Sequence, residues 1–349
     1  MRLTPHPFDA AGAPVARRPR LAFLGLGWIG RHRLRAVAED GSAEIVGLAD
    51  PVPEALAEAT DVAPGARAAD GLDGLLAMEP DGIVIATPSA LHAGQSIRAL
   101  EAGAAVFCQK PLGRDAREAT AVVEAAGNAD RLLGVDLSYR HTAAVAALRE
   151  ALRAGRLGEV FAMDAVFHNA YGPDKPWFYD RALSGGGCLA DLGVHLVDLG
   201  LWLLDFPALE HVEAQAWRAG RRLDAEALSR KAEDYVTATL SLAGGRALRL
   251  ACSWRLHAGQ DAVIRFEAFG AEGGAVIENR DGSFYDFATR LHRGTASEEV
   301  ASPPDAWGGR AAVAWARALG RGARFDPSCR RLIDLARAIE AIYRAAGKG

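Results

Sequence analysis

Gly25-Leu26-Gly27-Trp28-Ile29-Gly30 follows a short apolar run, Leu21 to Leu24, and opens a helical pattern. A second apolar run, Glu44 to Ala49, ends in Asp50, twenty positions after Gly30. Strand, glycine turn, helix, strand and acid in this order make a dinucleotide-binding unit. The three glycines serve different mechanical ends. Gly25 permits the tight turn, Gly27 lets backbone approach a pyrophosphate, and Gly30 lets the helix pack close to the strand. The helix opened by Trp28 and Ile29 offers N–H groups and a partial positive charge to the phosphates. A glycine triplet alone is a weak signal, because turns use glycine for steric reasons; here the strand, the helix and the spaced acid agree with it. Asp50 accepts from the adenosine ribose hydroxyls and repels a 2′-phosphate, so the pattern predicts NAD rather than NADP. The alternative for Asp50 is a cap on the helix starting near Pro53. Arg31 and Arg33 lie too early, on the first helix, to be obvious partners of a 2′-phosphate.

Outward from this turn the alternation continues. Strand-like runs at Leu21–Leu24, Glu44–Ala49, Gly82–Thr87, Ala104–Gln109 and Leu132–Leu137 are separated by helical patterns at Trp28–Ala38, Pro53–Thr60, Ser89–Ala102 and Ala116–Ala126. Short, continuous apolar strands are those of a parallel sheet covered on both faces. The reading is an α/β protein whose residues 20–140 form a doubly wound domain. Residues 141–326 change character. A helix at Thr142–Ala154, a strand at Phe161–Asn169 and a helix at Leu189–Leu204 precede period-2 runs at His211–Trp217, Asp234–Leu242, Arg246–Arg255, Val263–Phe269, Ala275–Glu278 and Ser283–Ala288. These predict a mostly antiparallel, open sheet. Residues 327–349 contain an amphipathic helix, Cys329–Ala346, with Leu332, Leu335, Ile339 and Ile342 on one stripe.

The 349 residues carry a formal net charge of -4, which gives no surplus of positive charge for nucleic acid. The four cysteines are widely spaced, without a Cys-x-x-Cys pair, so neither a zinc ribbon nor a disulfide framework is indicated and a reducing cytoplasm is the simplest setting. Residues 1–19 read as a disordered leader. Its Arg17-Arg18 pair invites an export reading, but the first strand follows with no cleavage site between. The longest apolar stretch, Leu189 to Phe206, is interrupted by Asp191, His195, Asp198 and Asp205, too polar for a membrane span.

The chemistry-bearing residues gather at strand ends and on one helix. Thr87 and Pro88 follow a strand at the carboxyl edge of the sheet, where the ligand crevice of such folds lies; Thr87 is a candidate cofactor contact, or merely a helix boundary. His92, one turn into the next helix, reaches toward the same crevice or is solvated. Gln109 and Lys110 end the following strand. Lys110 is placed to donate to a substrate hydroxyl and hold developing alkoxide charge, against the plain alternative of a surface lysine. Asp191 and His195, four apart on a helix after a triple glycine, project from one face. A histidine oriented by a carboxylate is a suitable base near neutral pH; the alternative is a pair that only stabilises the helix. Asp198 three residues on suggests a metal, but no second histidine or cysteine joins it, so no metal is expected. Arg140 is a candidate substrate contact or a partner for a carboxylate. Trp177, in a loop with Tyr171, Phe178 and Tyr179, offers an aromatic face suited to a sugar ring, or packs under the loop.

Together these residues resemble the glucose–fructose oxidoreductase / inositol dehydrogenase / rhizopine-catabolism (Gfo/Idh/MocA) family, from Arg20 onward. The resemblance rests on the glycine turn, Asp50, Ala86-Thr87-Pro88, Gln109-Lys110-Pro111, Tyr139-Arg140, Gly155-Arg156-Leu157-Gly158-Glu159-Val160, Glu233-Asp234-Tyr235-Val236-Thr237 and, most specifically, the segment from Gly185 to His195. It implies an N-terminal Rossmann domain and a C-terminal α/β domain with an open sheet whose face mediates homodimers or homotetramers. It also implies a final helix that returns to the cofactor domain. The family's catalytic lysine maps onto Lys110, and its Asp and His onto Asp191 and His195. The family usually has Glu before Lys-Pro, where this chain has Gln109. The expected activity is NAD-dependent hydride transfer from a secondary alcohol of a sugar or polyol, a small-molecule substrate, with neither nucleic acid nor membrane as partner. The alternatives are an NAD-assisted glycosidase of the same family and a non-catalytic dinucleotide-binding regulator.

Overall fold

The computed structural model describes residues 17–348. The leader expected over 1–19 lies outside the described residues as far as position 16. Its end is held in place: Arg17 donates to both carboxylate oxygens of Asp81, at 2.6 and 2.9 Å.

Six parallel strands form the first sheet: β1 (Arg20–Leu24), β2 (Glu44–Ala49), β3 (Arg67–Ala68), β4 (Gly82–Ile85), β5 (Ala105–Cys108) and β6 (Leu133–Val135), in the order β3-β2-β1-β4-β5-β6. The order reverses between β1 and β4, and the crevice beyond the carboxyl ends at such a switch point is where ligands bind. Gly25, Asp50, Ala86-Thr87, Gln109-Lys110 and Asp136 all follow strand ends there. The short β3 and the helix Gly71–Leu76 were not anticipated; two residues are too few to show a period. Leu21, Phe23, Leu48, Val84 and Phe107 are fully buried because helices cover both faces. A helix from far along the chain, Arg310–Gly320, completes this core. Its Trp315 is 0% exposed and lies 5.7 Å from the Phe107 ring. A side chain at Gly82 would come within 2.7 Å of that indole.

The second sheet has nine strands: β7 (Val160–Asn169), β8 (Leu209–Arg218), β9 (Arg221–Arg222), β10 (Tyr235–Leu242), β11 (Arg246–Ser253), β12 (Ala262–Gly270), β13 (Gly274–Asn279), β14 (Phe287–Arg293) and β15 (Ala296–Ala301). Their order is β15-β14-β13-β12-β7-β11-β10-β8-β9, antiparallel except where β7 meets β11. Alternation sets the faces. In β10, Val236, Ala238, Leu240 and Leu242 are buried while Thr237 and Thr239 are half-exposed. The buried face is covered by the helices Ala143–Arg153 and Val194–Leu203, and every residue of the latter is buried. Among the described residues one helical stretch, Arg181–Leu203, is long and apolar enough to cross a membrane by length and composition alone, with mean hydropathy 1.3; 94% of its apolar window is buried within the structure, as in a core helix. The strand expected at Ser283–Ala288 begins only at Phe287, because the Ser283 hydroxyl accepts from the N–H groups of Tyr285 and Asp286 and closes a turn.

By internal contacts, the described chain divides into a first unit up to Ser138 plus Gly308–Ile333, and a second made of Tyr139–Trp307 plus residues from Asp334 onward. The helix Arg310–Gly320 lies in the first unit. Most of the terminal helix, Arg331–Ala346, belongs to the second, where Tyr343 bonds Glu233.

Candidate active site

The glycine turn fits a dinucleotide. Gly25 has φ +88°, and a Cβ there would lie 2.6 Å from the Ala86 carbonyl. A Cβ on Gly30 would lie 2.1 Å from the Gly25 oxygen, so helix and turn touch backbone to backbone. A Cβ on Gly27 would meet nothing within 4 Å. That glycine therefore answers no internal packing demand and keeps the approach to the helix open. The helix Trp28–Asp40 has no side-chain cap at Gly27 and no acid in its first turn. Its leading N–H groups are suited to an anion. Trp28 is 62% exposed beside them, next to the half-buried Ile29. Asp50 braces the turn: its Oδ2 accepts from Leu26 N–H at 2.6 Å and its Oδ1 from Val52 N–H at 2.8 Å. Each oxygen keeps a lone pair for a further donor.

Along the other strand ends, the Thr87 hydroxyl donates to Gln95 Oε1 at 2.6 Å, and Pro88 precedes the helix Ser89–Glu101. His92 does not face a cofactor. It is 1% exposed, and its Nδ1 and Nε2 each lie 2.7 Å from a backbone carbonyl, those of Pro111 and Thr87. Burial lowers its pKa, and a neutral ring donates to one carbonyl at a time. Its role is to clamp two strand-end turns together. Gln109 is buried and donates to Asp136, and the half-buried Lys110 follows it.

In the second unit, Asp191 lies on a π-helical turn, Leu189–Gly193, and His195 in the first turn of the α-helix Val194–Leu203. The regular i,i+4 relation expected of them is thus interrupted, since a π turn bonds i to i+5. What surrounds both is aromatic. The Trp254 indole donates to Asp191 Oδ2 at 3.1 Å. Tyr139 meets the His195 ring edge-on at 4.7 Å, and burial together with the Asp191 charge pushes its phenol well up. Trp177 stacks on Phe178 at 3.8 Å, and Phe178 and Tyr179 both reach Trp254 edge-on. Sequence reasoning missed Trp254 and Tyr139 as site residues. A tryptophan directly after β11 and the tyrosine of Tyr139-Arg140 were the available signals.

The triple glycine also has its cause. A Cβ on Gly187 would lie 1.9 Å from the Glu233 carbonyl oxygen, and one on Gly186 would lie 1.9 Å from the Tyr343 hydroxyl. Glu233 is 0% exposed; its Oε1 accepts from Gly187 N–H, Leu189 N–H and Tyr343 Oη at 3.1, 3.0 and 2.9 Å. This acid anchors the start of the helical segment that carries Asp191 and His195. Burial pushes its carboxyl up, and these donors and Arg181 work against that. Of the two alternatives for Arg140, substrate contact or carboxylate partner, the structure shows the second. Its guanidinium forks onto buried Asp198 and lies over the Trp202 and Phe206 rings. The same pair removes Asp198 from consideration as a metal ligand.

A parallel sheet with a glycine turn at its switch point, followed by a large mixed sheet, defines a two-unit dinucleotide-binding α/β protein. Residues 20–137 match the oxidoreductase family with NAD-binding Rossmann fold, and residues 145–276 match the GFO/IDH/MocA C-terminal domain. The chain belongs to the Gfo/Idh/MocA oxidoreductase family, and its first unit is an NAD-binding Rossmann domain. It is 31% identical to inositol 2-dehydrogenase of Rhizobium meliloti (strain 1021), covering 77% of this chain and 78% of that protein. It is 28% identical to D-glucoside 3-dehydrogenase of Escherichia coli (strain K12), over 58% of this chain and only 60% of that protein. Among solved structures, levoglucosan dehydrogenase in complex with NADH shares the fold at a TM-score of 0.80, with 22% identity over 95% of this chain and 98% of the other.

Proposed function

We propose that the protein is an NAD-dependent dehydrogenase acting on a secondary alcohol of a sugar, polyol or related cyclic compound. The reading rests above all on one observation: Asp191 and His195 lie in an aromatic setting at the start of a buried helix, in a chain whose other unit is an NAD-binding domain. Names of relatives acting on inositol and glucosides support the substrate class. Bound NAD supplies the hydride acceptor. In the second unit, His195 would take the hydroxyl proton and Asp191, held by Trp254, would bond a neighbouring hydroxyl or the imidazole; in the first unit, Lys110 would offer its ammonium to developing negative charge. The loop bearing Trp177 supplies apolar surface for a sugar ring. Gly25, Gly27 and Gly30 with Trp28 and Ile29 would hold the pyrophosphate and Asp50 the adenosine ribose, while Thr87, Pro88 and Gln109 would support the cofactor from the neighbouring strand ends.

NAD is favoured over NADP because the nearby arginines are committed. Arg31 donates to Leu26 O at 2.6 Å and pairs with Glu58 at 2.8 Å, and Arg33 is buried against Asp136. The proposal includes a cytoplasmic setting, supported by four buried cysteines that form no disulfide among the described residues. It also includes a homodimer or homotetramer formed through the half-exposed face of the second sheet, where Thr237, Thr239 and Arg249 lie.

The test is a panel of sugars and polyols with NAD or NADP, read by accumulation of reduced cofactor. Net NADH from at least one cyclic polyol or sugar, and loss of roughly 10²–10⁴ in rate in His195→Ala, is the expected result. Turnover without net NADH favours a glycosidase, and wild-type rates in His195→Ala reject the base assignment.

A further inference from the structure

Gln109 stands where the family resemblance sets a glutamate, and its surroundings account for the change. Its amide Nε2 donates to Oδ2 of Asp136, the residue directly after β6. Arg33, on the helix that follows the glycine turn, donates from Nε to the same oxygen at 2.6 Å. The three side chains are buried, Gln109 at 7% exposure, Arg33 at 4% and Asp136 at 1%. The other titratable groups facing this cluster are His32, whose Nδ1 lies 3.0 Å from Arg33 Nη1, and the buried Cys108 thiol. One carboxylate, one guanidinium and one amide leave the cluster electrically balanced.

A glutamate at 109 has the same shape as glutamine but turns the donor into a second carboxylate. Two buried carboxylates would then face one cation at hydrogen-bond distance, and such a pair cannot both ionise cheaply. We propose that Asp136 is a positioning residue that carries the negative charge of this strand end in place of residue 109. Gln109, Asp136 and Arg33 together tie the strand end bearing Lys110 to the helix of the glycine turn. The amide is therefore a consequence of Asp136. This rests on the reading of the first unit as the cofactor domain.

The experiment is a charge-exchange cycle in the full-length protein: wild type, Gln109→Glu, Asp136→Asn and the double variant, melted from about pH 5 to about pH 9. Binding of NADH is followed in parallel by its fluorescence. In Gln109→Glu the carboxylate pair retains a proton that the unfolded chain releases. Stability is then intact at acid pH and declines as pH rises through the raised folded value. The expected midpoint loss is roughly 5–10 °C near pH 9 and much smaller near pH 5, with NADH affinity about tenfold weaker at the alkaline end. Asp136→Asn strands Arg33 and melts below wild type throughout. The double variant restores one carboxylate to one guanidinium and melts above Gln109→Glu.

The proposal is overturned if Gln109→Glu melts with wild type across the range or loses the same amount at every pH. It is also overturned if Asp136→Asn melts as high as wild type, or if the double variant melts no higher than Gln109→Glu. The melting arms stand whether or not NADH binds; a wild-type protein without affinity for NADH overturns the cofactor assignment instead.

Discussion

The indole Nε1 of Trp254 donates to Oδ2 of Asp191 across 3.1 Å. The ring is 3% exposed and also touches the loop bearing Trp177, through Phe178 and Tyr179. Trp254→Phe keeps most of the apolar surface and removes the donor. A hydrogen bond to a charged group contributes about 1.5–3 kcal/mol, so kcat/KM is expected to fall roughly tenfold or more. Steady-state kinetics beside a melting curve check this. An unchanged kcat/KM would remove Trp254 from the support of Asp191.

The three turn glycines separate packing from ligand approach. Gly30→Ala drives a Cβ to 2.1 Å from a backbone oxygen, so the folded protein is expected to be strongly destabilised. Gly27→Ala meets open space at φ −58°, an angle that alanine adopts freely. Its melting midpoint is expected to match wild type, while NADH affinity drops about tenfold or more, as a methyl group stands where phosphate approaches. Fluorescence titration and calorimetry on both variants decide the matter; equal NADH affinity in Gly27→Ala would contradict it.

Arg140 and Asp198 form a buried pair with side-chain exposures of 9% and 2%. Removing one partner of such a pair costs about 3–5 kcal/mol. Arg140→Ala is therefore expected to lower the midpoint by roughly 6–15 °C. A substrate contact would behave in the opposite way, raising KM at an unchanged melting temperature, so the two readouts separate the roles.

Glu233 gives the second unit a pH dependence. Burial holds its carboxyl above the unfolded value, so the folded state binds this proton more tightly. The stability it contributes is intact at acid pH and declines as pH climbs through the raised value. The Tyr343 hydroxyl is one of the donors that oppose the rise. Tyr343→Phe is expected to melt close to wild type near pH 5 and roughly 3–6 °C lower near pH 8. A loss of equal size at both pH values would place the effect in packing alone.

Much of the first unit was legible because its signals are local. β2 coincides with the apolar run Glu44–Ala49, and Gly25, Gly27 and Gly30 each meet a different local surrounding. The spacing of Asp50 points to a ribose ligand or a cap near Pro53, and nothing local reveals that its carboxylate clips the Leu26 N–H. The harder cases depend on distant partners. His92 faces backbone because Pro111 lies over it, and Arg140 is occupied because Asp198 comes to it from 58 residues away. The π turn at Leu189–Gly193 has no periodic signature of its own, since a single wide turn leaves the apolar pattern of a helix almost unchanged. The helix Arg310–Gly320 did carry a stripe, Ala311, Ala312, Trp315, Ala316 and Leu319, yet its alanines give weak contrast and only the fold shows what they pack against.

That late helix bears on the order in which the first unit's core is completed during synthesis. Trp315 sits among Leu21, Phe107 and other residues from the first third of the chain. A ribosome-bound fragment ending at Ser138 therefore exposes an apolar seat the size of an indole. The core of the cofactor domain is complete only when the chain through Gly320 is present, long after its own glycine turn has emerged. Any truncation intended to isolate that domain has to carry Gly308–Ile333 with it, joined by a linker or supplied as a separate peptide.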